Sequence, residues 1–169
     1  MHCQLDEFLQ QACGPLREAH SKGLIHRDIK PASIIVSHRG GVADVCNLLD
    51  FGLVKNLDNG EDPQTLTQQG VIAGTPAFMS PEQVTGNLQL DRRSDIYSLG
   101  AVAYFLLTGQ PPLRGNSINI MLEHLHSEPA KVRTLNADVP DEFSQWISRC
   151  SKRKPPHDSI LRCFAIQQR

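Results

Sequence analysis

The pattern of hydrophobic and polar positions predicts a mainly α-helical chain whose first element is a long amphipathic helix. Over residues 4–22, apolar side chains recur at helical spacing and would share one face: Leu5, Phe8, Leu9, Ala12, Leu16 and Ala19. Gly23 suits the left-handed conformation that ends many helices. Pro15 interrupts the pattern, because a proline inside a helix costs about 3 kcal/mol. The pattern therefore allows either one helix or two shorter ones.

Strand-like runs follow this helix. Residues 34–36 and 45–49 are β-branched or aliphatic, and a glycine-containing turn at 39–41 separates them. Two such runs around a turn predict a β-hairpin. Residues 56–70 are polar and contain several turn signals, which predicts a mobile loop.

Helical patterns return in the second half of the chain. Residues 94–107 are apolar on every side and stop at Gly109, which is typical of a helix buried in a core. We predict further helices over residues 117–127, from Pro140 onward and over residues 158–166. In the helix after Pro140, side chains at helical spacing predict core packing: Phe143, Trp146, Ile147 and Cys150.

Composition is that of a soluble globular domain or of one lobe of a larger domain. The chain has 169 residues, of which 40% are hydrophobic and 21% charged, and its net charge of −1 gives no reason to expect nucleic acid or an anionic membrane as partner. We see no signal peptide, and the longest apolar run, residues 99–107, is too short to span a bilayer. The five cysteines form no C-x-x-C pair, which favours reduced thiols in a cytoplasmic protein: Cys3, Cys13, Cys46, Cys150 and Cys163.

Two histidines in the predicted helix over residues 117–127 invite a metal interpretation. His124 and His126 lie two positions apart, so they would point to different faces of that helix. A metal pair requires a shared face. We therefore interpret both as surface histidines.

The candidate chemistry is concentrated between residues 24 and 52. In that stretch His26-Arg27-Asp28-Ile29-Lys30 and, after the hairpin, Asp50-Phe51-Gly52 each place an aspartate where an apolar run gives way to a tight loop. Two carboxylates arranged in this way can flank a metal-bound phosphate at the mouth of one cleft. Ser80-Pro81-Glu82 and the run from Asp95 to Gly100 follow in order.

Together these segments resemble the protein kinase family, and most of all its bacterial serine/threonine kinases of the eukaryotic-like type. The resemblance implies the large lobe of a kinase, mainly α-helical with a short hairpin at the cleft. Within it, residues 4–23 would be the helix before the catalytic loop, 24–36 the catalytic loop, 50–82 the activation segment and 91–169 a helical subdomain. No glycine-rich loop precedes these segments, so we expect the small β lobe to be absent and to be supplied by a missing N-terminal segment or a partner chain.

The resemblance also implies roles in phosphoryl transfer from ATP with Mg²⁺ to a serine or threonine of a protein substrate. Asp28 would accept the proton of the attacking hydroxyl, and Lys30 would steady the transferring phosphate. Asp50 would hold magnesium. Ser33 stands where the family has an asparagine that binds a second magnesium, so we expect weaker or displaced metal binding there. Ile35 would form part of the floor beneath the adenine.

Further residues would support or regulate the site. His26 and Phe51 would stack in the spine of the active arrangement, and Gly52 completes the metal-binding loop. Asp95 would tie the buried helix to the backbone of the catalytic loop; as a bland alternative, which is compatible with that role, it caps the start of the helix.

Two more expectations concern the activation segment. Arg27 would pair with a phosphorylated threonine, for which the candidates are Thr65, Thr67 and Thr75, although Thr75 better suits the substrate-binding turn. In the family Glu82 pairs with a buried arginine, but the corresponding position holds Asp158, so we expect Glu82 to be either solvated or matched by another group that the sequence does not identify.

Three interpretations follow from the residues. The chain is a truncated serine/threonine kinase domain, or a pseudokinase remnant that binds proteins without catalysis, or a decayed product that never folds stably because apolar surface at the lobe interface stays uncovered. Ser33 is the feature that separates the first two.

Overall fold

The computed structural model describes residues 2–39, 42–49, 75–87 and 89–152. It confirms a mainly helical fold with one short hairpin. The helices are α1 (His2–Ser21), α2 (Pro81–Val84), α3 (Arg92–Thr108), α4 (Ser117–His126), α5 (Val132–Leu135) and α6 (Asp141–Cys150). Several predictions lie outside the described residues, namely the Asp50-Phe51-Gly52 loop, the loop over 56–70 with Thr65 and Thr67, Asp158, and the helix over 158–166.

Helix α1 is one continuous helix, with Pro15 inside it. Leu9, Ala12, Cys13 and Leu16 are all fully buried in the core. Burial of that face offsets the cost of the proline, because most helix stability in proteins comes from packing of the apolar face. Gly23 has a φ of 73°, so the predicted left-handed stop is confirmed.

The hairpin pairs strand β1 (Ile34–Arg39) with β2 (Val42–Leu48) in antiparallel register. Ile34 lies opposite Leu48, and the register shifts between Ser37 and Arg39. Helix α1 contacts β2. The hairpin carries residues 34–36, the end of the predicted catalytic loop, and brings Leu49 back beside it, where Leu49 N donates to the carbonyl oxygen of Ser33 at 2.8 Å.

Helix α3 is the buried axis, as its all-round apolar pattern predicted. Every residue from Ser94 to Tyr104 is buried, and Gly109, with a φ of 72°, caps its C-terminus. The helix begins two residues earlier than predicted, because the Asp91 side chain accepts a hydrogen bond from Arg93 N. Asp91 is thus the N-cap, and the alternative that placed Asp95 there is wrong.

Helix α6 packs directly against α3. Its predicted core residues are all buried: Phe143, Trp146, Ile147 and Cys150. At the crossing, a Cβ on Gly100 would lie well inside van der Waals contact of the Cys150 Cβ. Cys13 and Cys150 are reduced and buried, as expected. In the described part of the chain, no helix has the length and apolar character needed to cross a bilayer.

Candidate active site

Asp95 anchors the backbone of the predicted catalytic loop from the first turn of α3. Its side chain is 1% exposed, and its two carboxylate oxygens accept hydrogen bonds of 2.9 Å from the backbone N–H groups of His26 and Arg27. A buried carboxylate needs such donors, because an unpaired buried charge is costly. The predicted tie between α3 and the loop is therefore present in the structure.

His20 completes the anchor and was missed by the sequence analysis. Its Nε2 lies 2.7 Å from Asp95 Oδ2, and both side chains are buried. An ionised carboxylate can only accept, so His20 Nε2 carries the hydrogen. The available signal was its position four residues after Leu16, on the buried face of α1.

His26 links the loop to the end of the hairpin. The ring is buried, with Nε2 2.8 Å from the carbonyl oxygen of Leu49 and Nδ1 3.4 Å from the backbone nitrogen of Asp28. The carbonyl requires a donor and the N–H an acceptor, so the imidazole carries its hydrogen on Nε2. Its stacking with Phe51 stays a prediction, since Phe51 lies outside the described residues.

Asp28 and Lys30 form the exposed pair of the site. Lys30 Nζ donates to Asp28 Oδ2 at 2.7 Å, and 28% of the Lys30 side chain and 38% of the Asp28 side chain stay exposed. A pair this exposed contributes little to stability. It does place a carboxylate and an ammonium group together at a partly exposed position of the loop.

Arg27 holds an unusual backbone conformation between the anchor and the pair. Its φ is 68°, a region that costs a residue with a Cβ roughly 1–2 kcal/mol. The Gln83 side-chain amide donates to its carbonyl oxygen. The Arg27 Nε is buried without a hydrogen-bond partner among the described residues. Pairing with a phosphothreonine stays a prediction.

Ser33 and Ile35 lie on the predicted nucleotide face, the surface that would bind the adenine and the second magnesium. Ser33 is buried, and its hydroxyl donates to the carbonyl oxygen of Asp28 at 2.8 Å. In this arrangement the hydroxyl braces the loop, and magnesium ligation by Ser33 or by Asp50 stays a prediction. Ile35 is 46% exposed, so it offers an open apolar surface that suits an adenine ring.

The end of the predicted activation segment is built around a capped helix. Ser80 caps α2, with Gln83 as its reciprocal partner, so that the two residues form a capping box. Glu82 Oε2 is buried and has no hydrogen-bond partner within the described ranges. A solvated Oε2 is therefore not what the structure shows, and Asp158, which holds the position of the expected arginine, lies outside those ranges.

His124 corrects one expectation. It is 1% exposed, with Nδ1 2.8 Å from the Tyr97 hydroxyl and Nε2 2.8 Å from the carbonyl oxygen of Pro76. The surface interpretation is therefore wrong for His124, although His126 is exposed. Burial lowers the pKa of His124, so the ring stays neutral, donates to Pro76 and accepts from Tyr97. Within the described residues, no cluster of three metal-ligating side chains involves either histidine.

An apolar groove of about 310 Å³ lies beside Lys30 of the exposed pair. It runs between the catalytic loop, the turn at Pro76–Phe78 and the end of α3, and is lined by Lys30, Pro31, Ala32, Thr75, Ala77, Phe78, Phe105 and Pro111. Phe78 and Phe105 meet edge to face, with ring centroids 6.1 Å apart. A larger cavity of about 650 Å³ lies along α5 and α6 and touches none of the predicted site residues.

Comparison with known proteins agrees with this architecture. The family model described as "Protein kinase domain" matches residues 2–158. The chain is 43% identical over 151 residues to serine/threonine-protein kinase pkn3 of Myxococcus xanthus, which covers 88% of this chain and 27% of that protein. It is 36% identical to serine/threonine-protein kinase PknB of Mycolicibacterium smegmatis, over 88% of this chain and 23% of that protein. It is 39% identical to serine/threonine-protein kinase PknL of Mycobacterium tuberculosis, over 94% of this chain and 37% of that protein.

The chain thus spans between about a quarter and two fifths of the length of these relatives. The matched residues include the catalytic loop, the hairpin and the helices around α3. The resemblance to bacterial serine/threonine kinases is confirmed. With more than half of its length matched by the family model, this chain belongs to the protein kinase family.

Proposed function

We propose that this chain forms the catalytic and substrate-binding lobe of a serine/threonine protein kinase. In this proposal Asp28 orients the acceptor hydroxyl and takes its proton, and Lys30 neutralises the transferring phosphate. The observation that carries the proposal is the 2.7 Å contact between Lys30 Nζ and Asp28 Oδ2, on a loop whose backbone Asp95 holds. ATP with Mg²⁺ would supply the phosphate.

The groove beside this pair supports a protein substrate. Because Lys30 lines the groove and also contacts Asp28, a chain lying in the groove would bring its hydroxyl to the pair. The groove walls are apolar side chains from Ala32, Ala77 and Phe105. An extended peptide would bury its own apolar side chains there.

The nucleotide face supports a two-lobed site. Ile35 and Leu49 are large apolar residues that stay 46% and 37% exposed. A small lobe from another segment or a partner chain, together with the adenine ring, would cover them and exclude water from the phosphates. ATP and reduced thiols both suit a cytoplasmic location, which is part of this proposal.

A second candidate function is a pseudokinase that binds proteins without catalysis. Ser33 favours it, because serine has no side-chain carboxamide for a second magnesium. Its buried hydroxyl instead donates to the carbonyl oxygen of Asp28. The same groove and the exposed apolar face would then serve only for binding.

Phosphate transfer decides between the two candidates. Assayed together with the small lobe that completes the nucleotide site, the protein should move label from γ-labelled ATP, with Mg²⁺, to serine or threonine of a mixed peptide library, and Asp28→Asn should reduce the rate by at least 100-fold. Asp138→Asn is the matched control, because Asp138 is exposed and does not line the groove.

Transfer that is equal in wild type and Asp28→Asn would refute the catalytic assignment of Asp28. No transfer by either protein, combined with saturable binding of library peptides, would favour the pseudokinase.

A further inference from the structure

Gln83 lies on α2, directly after the activation segment, yet its side chain reaches the catalytic loop. We propose that Gln83 is a positioning residue that fixes the peptide plane preceding Asp28. The inference deepens the proposed function and rests on it, since the group being positioned is the proposed proton acceptor.

Two contacts define the orientation of the Gln83 amide. Its Oε1 accepts a 2.9 Å hydrogen bond from the backbone N–H of Ser80, and its Nε2 donates to the carbonyl oxygen of Arg27. An N–H group needs an oxygen partner and a carbonyl needs an N–H partner. Both ends of the amide are therefore assigned by their neighbours, and the reverse orientation would lose both bonds.

The carbonyl that Gln83 contacts belongs to the peptide unit joining Arg27 to Asp28. The other side of Arg27 is held as well, because its N–H donates to Asp95 Oδ1 at 2.9 Å. Arg27 has a φ of 68°, which a residue with a Cβ keeps only when its surroundings impose it. Asp95 and Gln83 impose it from the two sides, and the direction of the Asp28 side chain follows from that conformation.

The capping box alone does not require glutamine. Glutamate at the same position of a capping box accepts the backbone N–H of the N-cap equally well. A glutamate here would keep the bond to Ser80 but would turn an oxygen toward the carbonyl of Arg27 and could not donate to it. The amide is thus explained by its second contact, the one to the catalytic loop.

Steady-state kinetics of Gln83→Glu test the proposal. Because the variant keeps the capping box, we expect it to fold, with kcat reduced at least tenfold and with KM for ATP and for peptide within twofold of wild type. Gln89→Glu is the matched control. Gln89 is exposed and, like Gln83, precedes α3 in the chain, and the substitution introduces the same negative charge. We expect its kinetics to equal those of wild type.

Amide hydrogen exchange gives a second readout that needs no turnover. In Gln83→Glu we expect the amides of His26 and Arg27 to exchange at least fivefold faster than in wild type, and the amides of α3 between Leu99 and Tyr104 to keep their wild-type rates. If wild type transfers no phosphate, the proposed function fails, while this exchange comparison still decides the role of Gln83.

Two results would overturn the proposal. The first is wild-type kcat in Gln83→Glu together with wild-type exchange at His26 and Arg27. The second is faster exchange in α3 by the same factor as in the loop, since that would mean a global loss of stability rather than a local loss of position.

Discussion

Different kinds of contact stabilise the helical core and the catalytic loop of this protein. In the core, α3 and α6 meet through apolar side chains and one glycine, Gly100, which sits against Cys150. In the loop, the backbone of His26 and Arg27 is held by polar side chains from α3 and α2, namely Asp95 and Gln83. His20 of α1 supports Asp95 in turn.

The difference explains how each region responds to change. Apolar packing is distributed over many contacts, so single substitutions act according to the volume that they add or remove. The polar anchors are few and buried, so removing one leaves donors or acceptors without partners. The loop therefore depends on a few individual residues, whereas the core depends on many packing contacts taken together.

The largest effect is expected for Asp95→Ala. The backbone N–H groups of His26 and Arg27 and the ring of His20 would all lose their acceptor, which should lower the free energy of unfolding by about 3–5 kcal/mol. Urea denaturation followed by circular dichroism measures it. The exposed Asp138→Ala should change stability by about 0.5 kcal/mol or less. A similarly small loss in Asp95→Ala would show that the anchor is not essential.

Gly100→Ala tests the core side of the comparison and should rank second. The new methyl group would overlap Cys150, so α3 and α6 must separate at a cost of about 1–3 kcal/mol. Gly14→Ala is the matched control, because Gly14 is also helical and a Cβ there meets nothing within 4 Å. That variant should be neutral or more stable by up to about 1 kcal/mol. Equal melting temperatures for the two variants would contradict the close crossing at Gly100.

The smallest effect concerns pH and His124. Burial keeps its pKa below the ordinary value, with the Pro76 carbonyl and the nearby Glu123 opposing that shift. A histidine whose pKa is lowered by folding binds its proton more readily in the unfolded state, so stability falls as the pH drops below about 6.5.

Urea midpoints between pH 7.5 and 5 measure this dependence. We expect His124→Gln to have a shallower loss of stability toward low pH than wild type. The exposed His126→Gln should keep the wild-type profile. Identical profiles for all three proteins would mean that the buried ring does not contribute to the pH dependence.

The sequence predicted the regions governed by local patterns. The all-round apolar run identified α3, Gly109 marked its end, and two aliphatic runs identified the hairpin. The long apolar face of α1 was also visible, but the continuity of the helix through Pro15 was not, because it depends on packing against the rest of the fold.

The contacts of the candidate site were harder to predict. The tie from Asp95 followed from a family resemblance, whereas His20, Gln83 and the burial of His124 were missed. Their partners lie 75, 56 and 48 residues away along the chain. Periodicity reports which face a residue occupies, but it does not report which polar group from a distant segment meets that face.

The most direct test of this account is the amide exchange of His26 and Arg27 in the wild-type protein at residue resolution. If buried polar anchors hold the loop, both amides should exchange as slowly as those of α3 between Leu99 and Tyr104, although they lie in an irregular segment. Exchange at the rate of the exposed loop residues Glu128 and Ala130 would contradict the account, because it would show that the bonds to Asp95 do not hold the catalytic loop in place.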